Sequence, residues 1–343
     1  MIRPTECSAP KDRLPHKERM ALVLCSDANM FWQAAFCFHR HRQFDRDDHV
    51  DLYYYVSEPL EGAYREFLEP FVTIRLWDKG LPQTGYKYPP HITEAGLLRL
   101  FAIDELCADY DKVVYMDCDV FQSWGSFADL ADVNIGDAPF MAIRDRLHWA
   151  HLPNTRYFNN TYVAKLPEGV HNRYFNSGIL IANGQRFLDA GVSQKALRFL
   201  AEYPELAKIG DQSALNAVAE GNWLELSPSW NWQAALAYPA LTRTREPRFI
   251  HLVGRVKPWK DKFLRLDTRY AGAMRDFLFQ YNLPDYNALF DADKTRFRRE
   301  RKIMSQADGR PGLKVETWRT LLPYLEYEGF VDRVQGVPMT AEI

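Results

Sequence analysis

Residues 111–119 read Asp-Lys-Val-Val-Tyr-Met-Asp-Cys-Asp, and they set the expected fold. Lys112 to Met116 is a short run rich in β-branched and aromatic residues, the composition of a strand buried on both faces. It passes without a spacer into Asp117 and Asp119, two carboxylates two residues apart. Side chains alternate along an extended backbone, so both carboxylates are expected on one side, at the C-terminal strand end where open α/β sheets place ligands. Hard oxygen donors with free positions suit Mg2+ or Mn2+ bound together with a phosphorylated ligand, and an added imidazole tilts the choice toward Mn2+.

Upstream of this stretch the same alternation repeats. Met20 to Cys25 is an apolar run that ends in Ser-Asp-Ala-Asn and feeds a helical pattern over Met30 to Phe38. Asp51 to Val56 and Phe71 to Trp77 read as strands on either side of helical spacing at Leu60 to Leu68, and a Pro- and Gly-rich loop from Asp78 to Pro90 precedes a helix over His91 to Cys107. Strand and helix in alternation predict a mostly parallel sheet. Downstream, strands are expected at Phe140 to Ile143, Phe175 to Ala182 and Arg248 to Leu252, with helices over Phe187 to Glu202 and Asp211 to Ala219, and an extended segment over Trp223 to Leu226. The segment from Arg144 to Val170 is too long for a simple connector and reads as a substrate lid. After Trp259 strand signals cease. The expected organisation is a tail over 1–19, an α/β domain over 20–260 and a helical C-terminal extension over 261–343.

The 343 residues carry 47% apolar side chains and a formal charge of −2, with 43 basic against 45 acidic groups. That balance supplies no bulk electrostatic attraction for nucleic acid, so none is expected as a partner. Five cysteines at 7, 25, 37, 107 and 118 lack metal-like spacing and mostly sit in apolar runs, as buried thiols of a reducing compartment do. Neither a signal peptide nor a run approaching the roughly 18 apolar residues of a membrane span is evident, so the expectation is a cytoplasmic protein.

Four ordered segments together resemble glycosyltransferase family 8, the retaining GT-A enzymes that include glycogenin and the bacterial lipopolysaccharide galactosyl- and glucosyltransferases. They are Asp111 to Asp119, Tyr174-Phe-Asn-Ser-Gly-Ile-Leu-Ile-Ala182, Asp211-Gln-Ser-Ala-Leu-Asn216 and His251-Leu-Val-Gly-Arg-Val-Lys-Pro-Trp259. The resemblance implies a GT-A (Rossmann-like) mixed, mostly parallel sheet flanked by helices. It also implies that Asp117, Asp119 and His251 ligate Mn2+ (or Mg2+) on the two phosphates of a UDP-sugar, with Gly254 and Lys257 beside those phosphates. Cys25, Asp27 and Asn29 match the uridine pocket, although an N-cap role explains Asp27 or Asn29 equally well. Arg99 matches an arginine near the donor, with a surface ion pair as its alternative. Asp145, Asn176, Asp211 and Gln212 match positions along the donor sugar, and the catalytic assignment falls on Asp211, Gln212 and Asp119. Two departures stand out: Ala28 replaces an acidic residue of the uridine motif, and nothing after Lys260 matches.

The function so implied is transfer of a hexose from UDP-glucose or UDP-galactose to a glycan, with a bacterial cell-surface saccharide as acceptor. A glycogenin-like self-glucosylating primer and a silent sugar-nucleotide binding module are the alternatives, and double displacement and front-face attack both remain open. In the extension, Lys294 to Lys302 places Arg296, Arg298, Arg299 and Arg301 around Phe297 with a single acid, Glu300. It reads either as a solvated helix face or as a patch for peripheral contact with an anionic inner membrane leaflet.

Overall fold

Every residue of β1, Met20–Ser26, is buried, as the uninterrupted apolar run requires of a central parallel strand. The computed structural model describes residues 19–45, 49–60, 62–88, 93–146, 173–233, 239–254, 257–260, 266–284 and 321–339. The tail, most of the expected lid and the basic run at Lys294 to Lys302 lie outside the described residues. Side chains of β1 alternate between two cores: Met20, Leu22 and Leu24 enter one, and Ala21, Val23 and Cys25 the other. A strand that feeds two apolar layers must have helices on both faces.

Among the described residues a seven-stranded sheet runs in the order β3-β2-β1-β4-β7-β6-β8, from β2 (Val50–Val56), β3 (Thr73–Leu76), β4 (Lys112–Met116), β6 (Phe140–Arg144), β7 (Phe175–Asn183) and β8 (Leu224–Glu225) around β1. Strands β1 to β4 pair in parallel, whereas β7 lies antiparallel between β4 and β6. The expected GT-A arrangement is therefore present, mixed because of β7. Helix α1 (Phe31–Phe44) and α2 (Ala63–Leu68) pack in the first core; α3 (Leu98–Cys107), α4 (Gly184–Asp189), α5 (Val192–Glu202) and α6 (Gly210–Ala219) pack in the second. The single helix expected over Phe187 to Glu202 is two, because the chain turns at Gly191 with φ +60°, a conformation that glycine adopts without strain. The helix expected from His91 opens, within the described residues, as a 3-10 turn at Glu94–Leu97.

Two short strands were not expected at their observed place. β5 (Val120–Gln122) follows directly on Asp119 and pairs antiparallel with β9 (Phe249–His251) in a separate two-stranded sheet, Val120 opposite His251. The strand expected at Arg248 to Leu252 thus leaves the main sheet. Its role is to carry His251 to the end of β4.

The described parts of the C-terminal extension join the first core. Helix α8 (Thr268–Gln280), which follows α7 (Pro239–Arg245) and precedes the short α9 (Val331–Val334), buries Tyr270, Met274, Phe277 and Leu278 there, and Leu321, Leu325 and Val337 join them. Asp332 ties α9 down: its carboxylate accepts hydrogen bonds from the backbone N–H and hydroxyl of Ser227 at 2.8 and 2.7 Å.

Candidate active site

The strand β4 stops at Met116, and Cys118 and Asp119 form a turn closed by Val120 N–H donating to the Asp117 carbonyl at 3.3 Å. The two carboxylates consequently converge through a turn, not through the alternation of an extended strand. His251 reaches the same point from β9. Its Nε2 lies 3.6 Å from Asp117 Oδ2 and 3.1 Å from Asp119 Oδ1, and one ligand atom from each of the three residues falls within a mutual 4.8 Å. Separations near 3 Å match adjacent donors around an ion bound at about 2.1 Å.

The histidine is oriented for that role. Its Nδ1 sits 3.1 Å from Asn176 Oδ1 and 3.0 Å from Asn231 Oδ1. Asn176 Oδ1 also accepts from Gly178 N–H and from Asn231 Nδ2, so it is the oxygen that faces the ring. Two oxygens around Nδ1 place the proton there, which leaves the Nε2 lone pair toward the carboxylates. Gly178 explains the glycine of the Asn-Ser-Gly segment: a Cβ would overlap the His251 ring and lie 2.8 Å from Asp117 Oδ2. Asp117 is held from behind, its Oδ1 accepting from Tyr115 Oη at 2.6 Å and lying 3.4 Å from Arg99 Nη2.

This cluster lines a cavity of about 450 Å³. Of the residues singled out in the sequence, Cys25, Asp27, Arg99, Asp145, Asn176, Asp211, Gln212, Gly254 and Lys257 also line it, and Asn29 does not. Asp27 caps the turn that follows β1, its Oδ1 accepting from Asn29 N–H at 3.0 Å, so the capping role is real and coexists with a place on the cavity wall. Arg99 is no surface ion pair. It is buried, 2.8 Å from Asp211 Oδ2 through Nε, and donates to the Ser177 carbonyl at 3.0 Å. Gly254 has φ +91° and open space where a Cβ would stand, which leaves the backbone accessible to a ligand.

Gln212 is fixed at both ends of its amide. Nε2 donates to Asp145 Oδ2 at 3.1 Å, and Oε1 accepts from Asn176 Nδ2 at 3.1 Å and from Ser177 N–H at 3.2 Å. Five carboxylates line the cavity, Asp27, Asp117, Asp119, Asp145 and Asp211, against Arg99, Arg146 and Lys257. Two negative charges are in excess, the deficit that a divalent cation fills. Burial opposes the charge on Asp119, but Lys257, joined by His251 only when the ring is protonated, outweighs it and holds the carboxyl below the ordinary range. Lys257 Nζ donates to Asp119 Oδ2 and, at 2.7 Å, to the Leu252 carbonyl. Burial is the main influence on Asp211 and raises its pKa, with Arg99 opposing and Asp117 assisting.

Residues 60–262 match the profile of Glycosyl transferase family 8. The chain belongs to that family. Among curated relatives it is 30% identical over 207 residues to general stress protein A of Bacillus subtilis, covering 56% of this chain and 65% of that protein. It is 24% identical over 251 residues to glycosyltransferase GlyF of Streptococcus pneumoniae, covering 71% and 54%, and 25% identical over 178 residues to the lipopolysaccharide 1,2-glucosyltransferase of Escherichia coli, covering 49% of each. It thus spans less than two thirds of the length of these relatives. The crystal structure of galactosyltransferase LgtC with donor and acceptor sugar analogs superposes with a TM-score of 0.60 at 20% identity, covering 75% of this chain and 96% of LgtC. At that identity the likeness shows a shared GT-A fold.

Within this family 8 chain, several cavity residues escaped the sequence reading. Gln233 comes from the Trp-Asn-Trp-Gln segment, Tyr115 from the interior of β4, and Tyr86 and Tyr88 from the Pro- and Gly-rich loop, while Asn231 of the same Trp-Asn-Trp-Gln segment stands behind His251 and not in the lining. Tyr115 alone had an accessible signal, since it is two residues before Asp117 and so on the same side of the strand. Among the described residues no helix is long and apolar enough to cross a membrane.

Proposed function

We propose that this chain transfers a hexose from UDP-glucose or UDP-galactose to a saccharide acceptor, with retention of anomeric configuration and with Mn2+ or Mg2+ held by Asp117, Asp119 and His251. The observation that carries the reading is the convergence of those three ligand atoms within 4.8 Å in a cavity with two uncompensated negative charges. When bound, the cation neutralises charge that develops on the departing diphosphate. Asp27 at the end of β1 accepts the uracil imide proton, Gly254 admits the phosphates to the backbone, and Lys257 donates to a phosphate oxygen in place of Asp119.

Asp145, Asn176 and Gln212 present a rigid set of amide and carboxylate atoms to the hydroxyls of the sugar. An amide is a poor nucleophile, and Gln212 has both ends engaged, so its contribution is orientation. Asp211, its charge balanced by Arg99, stabilises the positive charge that appears at the anomeric carbon as the bond to the diphosphate oxygen breaks. We propose further that the acceptor is a bacterial cell-surface saccharide, the use named for the lipopolysaccharide glucosyltransferase relative, and that the enzyme works in the cytoplasm. A self-glucosylating primer is the second reading, since a glycogenin of Komagataella phaffii is 25% identical over 277 residues; mass spectrometry of the purified chain would show added hexoses if it held.

Calorimetric titration of UDP with Mn2+ and with EDTA tests the central claim. Two carboxylates facing a diphosphate repel it unless a cation intervenes, so UDP affinity should fall at least about tenfold in EDTA, a loss of about 1.4 kcal/mol. Equal affinity in both conditions would reject the metal assignment.

A further inference from the structure

The loop from Asp78 to Tyr88 brings two tyrosines to the site, and one of them has a polar atom without a hydrogen-bond partner among the described residues. Tyr86 and Tyr88 meet edge to face at a ring separation of 4.7 Å. Both rings lie against the N-terminus of α6, where Gly210 has φ +52° and a Cβ would stand 3.2 Å from Tyr86 Cε1 and 3.5 Å from Tyr88 Cε1. Glycine at this position therefore lets the aromatic pair close onto the turn that presents Asp211 and Gln212. Tyr86 is anchored, its hydroxyl donating to the Lys208 carbonyl at 3.3 Å. Tyr88 lines the cavity, and its hydroxyl is buried and, among the described residues, has no hydrogen-bond partner.

A buried phenol without a partner forfeits the hydration it would have in solvent, and beside a ligand cavity a substrate hydroxyl is one group that can restore the bond. The groups that line the same cavity define the ligand's chemistry. Asp211 belongs to the same wall and bears the charge nearest in effect to Tyr88 after burial itself, and Asp145, Asn176 and Gln212 complete a surface of fixed amide and carboxylate groups. Groups of that kind bind neutral polyols. The phosphates are provided for elsewhere, by the cation site, Gly254 and Lys257.

We infer that the Tyr88 hydroxyl hydrogen-bonds one hydroxyl of the donor hexose and is a specificity-determining contact for the transferred sugar. The inference rests on the proposed UDP-hexose transfer. A cavity built to hydrogen-bond a particular substrate hydroxyl discriminates strongly against an analogue lacking it, because a buried polar atom is then left unpaired.

The experiment compares the full chain with Tyr88→Phe, which keeps the ring against Gly210 and removes only the hydroxyl. Acceptor-free UDP release in Mn2+ is measured with UDP-glucose, UDP-galactose and a series of monodeoxy UDP-hexoses. In that reaction water forms the new bond to the anomeric carbon, the bond to the β-phosphate oxygen breaks, UDP leaves with the electron pair and the proton goes to solvent. Omitting the acceptor confines the readout to the donor.

Tyr88→Phe should lower kcat/KM about tenfold on the preferred hexose, the usual worth of a neutral hydrogen bond. UDP should inhibit both enzymes alike within twofold, and for one deoxy donor the two enzymes should agree within twofold, which identifies the hydroxyl read. An equal loss on every deoxy donor, no loss on any donor, or a tenfold weaker inhibition by UDP would each overturn the assignment and leave the proposed transfer standing. Failure of the unmodified chain to release UDP from any UDP-hexose would overturn the transfer itself and this contact with it.

Discussion

Arg99 and Arg248 are both buried, 8% and 2% exposed, yet their surroundings push the two guanidinium groups in opposite directions. For each, loss of hydration is the largest influence and lowers the pKa. Around Arg99 the carboxylates of Asp211 and Asp117, with Tyr115, more than reverse it. Around Arg248 they do not: among the described residues Asp129 forms its direct ion pair and Asp332 adds a weaker attraction, and the side chain also meets the Pro338 carbonyl and the faces of Trp124 and Trp230 at 3.9 and 4.7 Å. Both side chains stay charged, as arginine does. One arginine sits in a cluster with anions to spare, and the other in a closed pair that fastens the C-terminal segment through Pro338. An open electrostatic balance marks a site that awaits a ligand, and a closed one marks structure.

Substitutions that exchange the two behaviours would break this contrast. Asp119→Ala removes a proposed cation ligand at a turn outside the apolar cores, so UDP release should fall about a thousandfold while the melting midpoint stays within a few degrees. A lost cooperative transition would show Asp119 to be structural. The reciprocal case is Arg248→Gln, which strands Asp129 and loosens the contact to Pro338. Arg248 is buried but Asp129 is about a third exposed, so the loss falls mainly on the packing of the guanidinium against Trp124 and Trp230 and on its hydrogen bond to Pro338, about 2 kcal/mol in urea unfolding, with UDP release per folded molecule changed less than twofold. A specific rate that fell in step with stability would erase the distinction between the two arginines.

How much of this was legible in the sequence follows the same division. Strands β1, β4 and β7 announce themselves because burial on both faces demands an unbroken apolar run, and the carboxylates of Asp117 and Asp119 stand immediately after one. The convergence with His251 was visible only as a resemblance, since its physical cause is the β5–β9 ladder. Three residues such as Val120-Phe-Gln122 carry no measurable periodicity. Asn231, which helps set the His251 tautomer, and Tyr88, whose hydroxyl is unpaired among the described residues, lie in segments without periodic pattern. A lone Asn or Tyr there signals nothing until the fold brings the one behind His251 and the other to the cavity wall. Arg99 was ambiguous for the opposite reason: its helix was evident, but whether it met solvent or Asp211 depends on α6, more than a hundred residues later.

The smallest effect concerns a third cationic group, one that the fold discharges. His39 on α1 packs against Phe277 and Tyr281 at ring separations of 4.9 and 5.2 Å. Burial, followed by the charges of Arg40 and Arg42, lowers its pKa from 6.5 to about 4. No carboxylate is among those influences, which is what separates His39 from Arg99. Between these two values the unfolded chain binds a proton that the folded chain refuses, so stability must fall as pH falls through this window and be unaffected by His39 above it. Partial exposure screens the effect, and about 1 kcal/mol is a reasonable size. His39→Phe keeps the aromatic contact and cannot titrate. Urea unfolding of both proteins from neutral pH down to pH 4 (the lower value for His39) isolates the difference, because carboxylates such as Asp45 titrate alike in each. The variant should lose about 1 kcal/mol less than the unmodified chain over that interval, and parallel curves would mean that a charged imidazole is accommodated among these rings without a counter-ion.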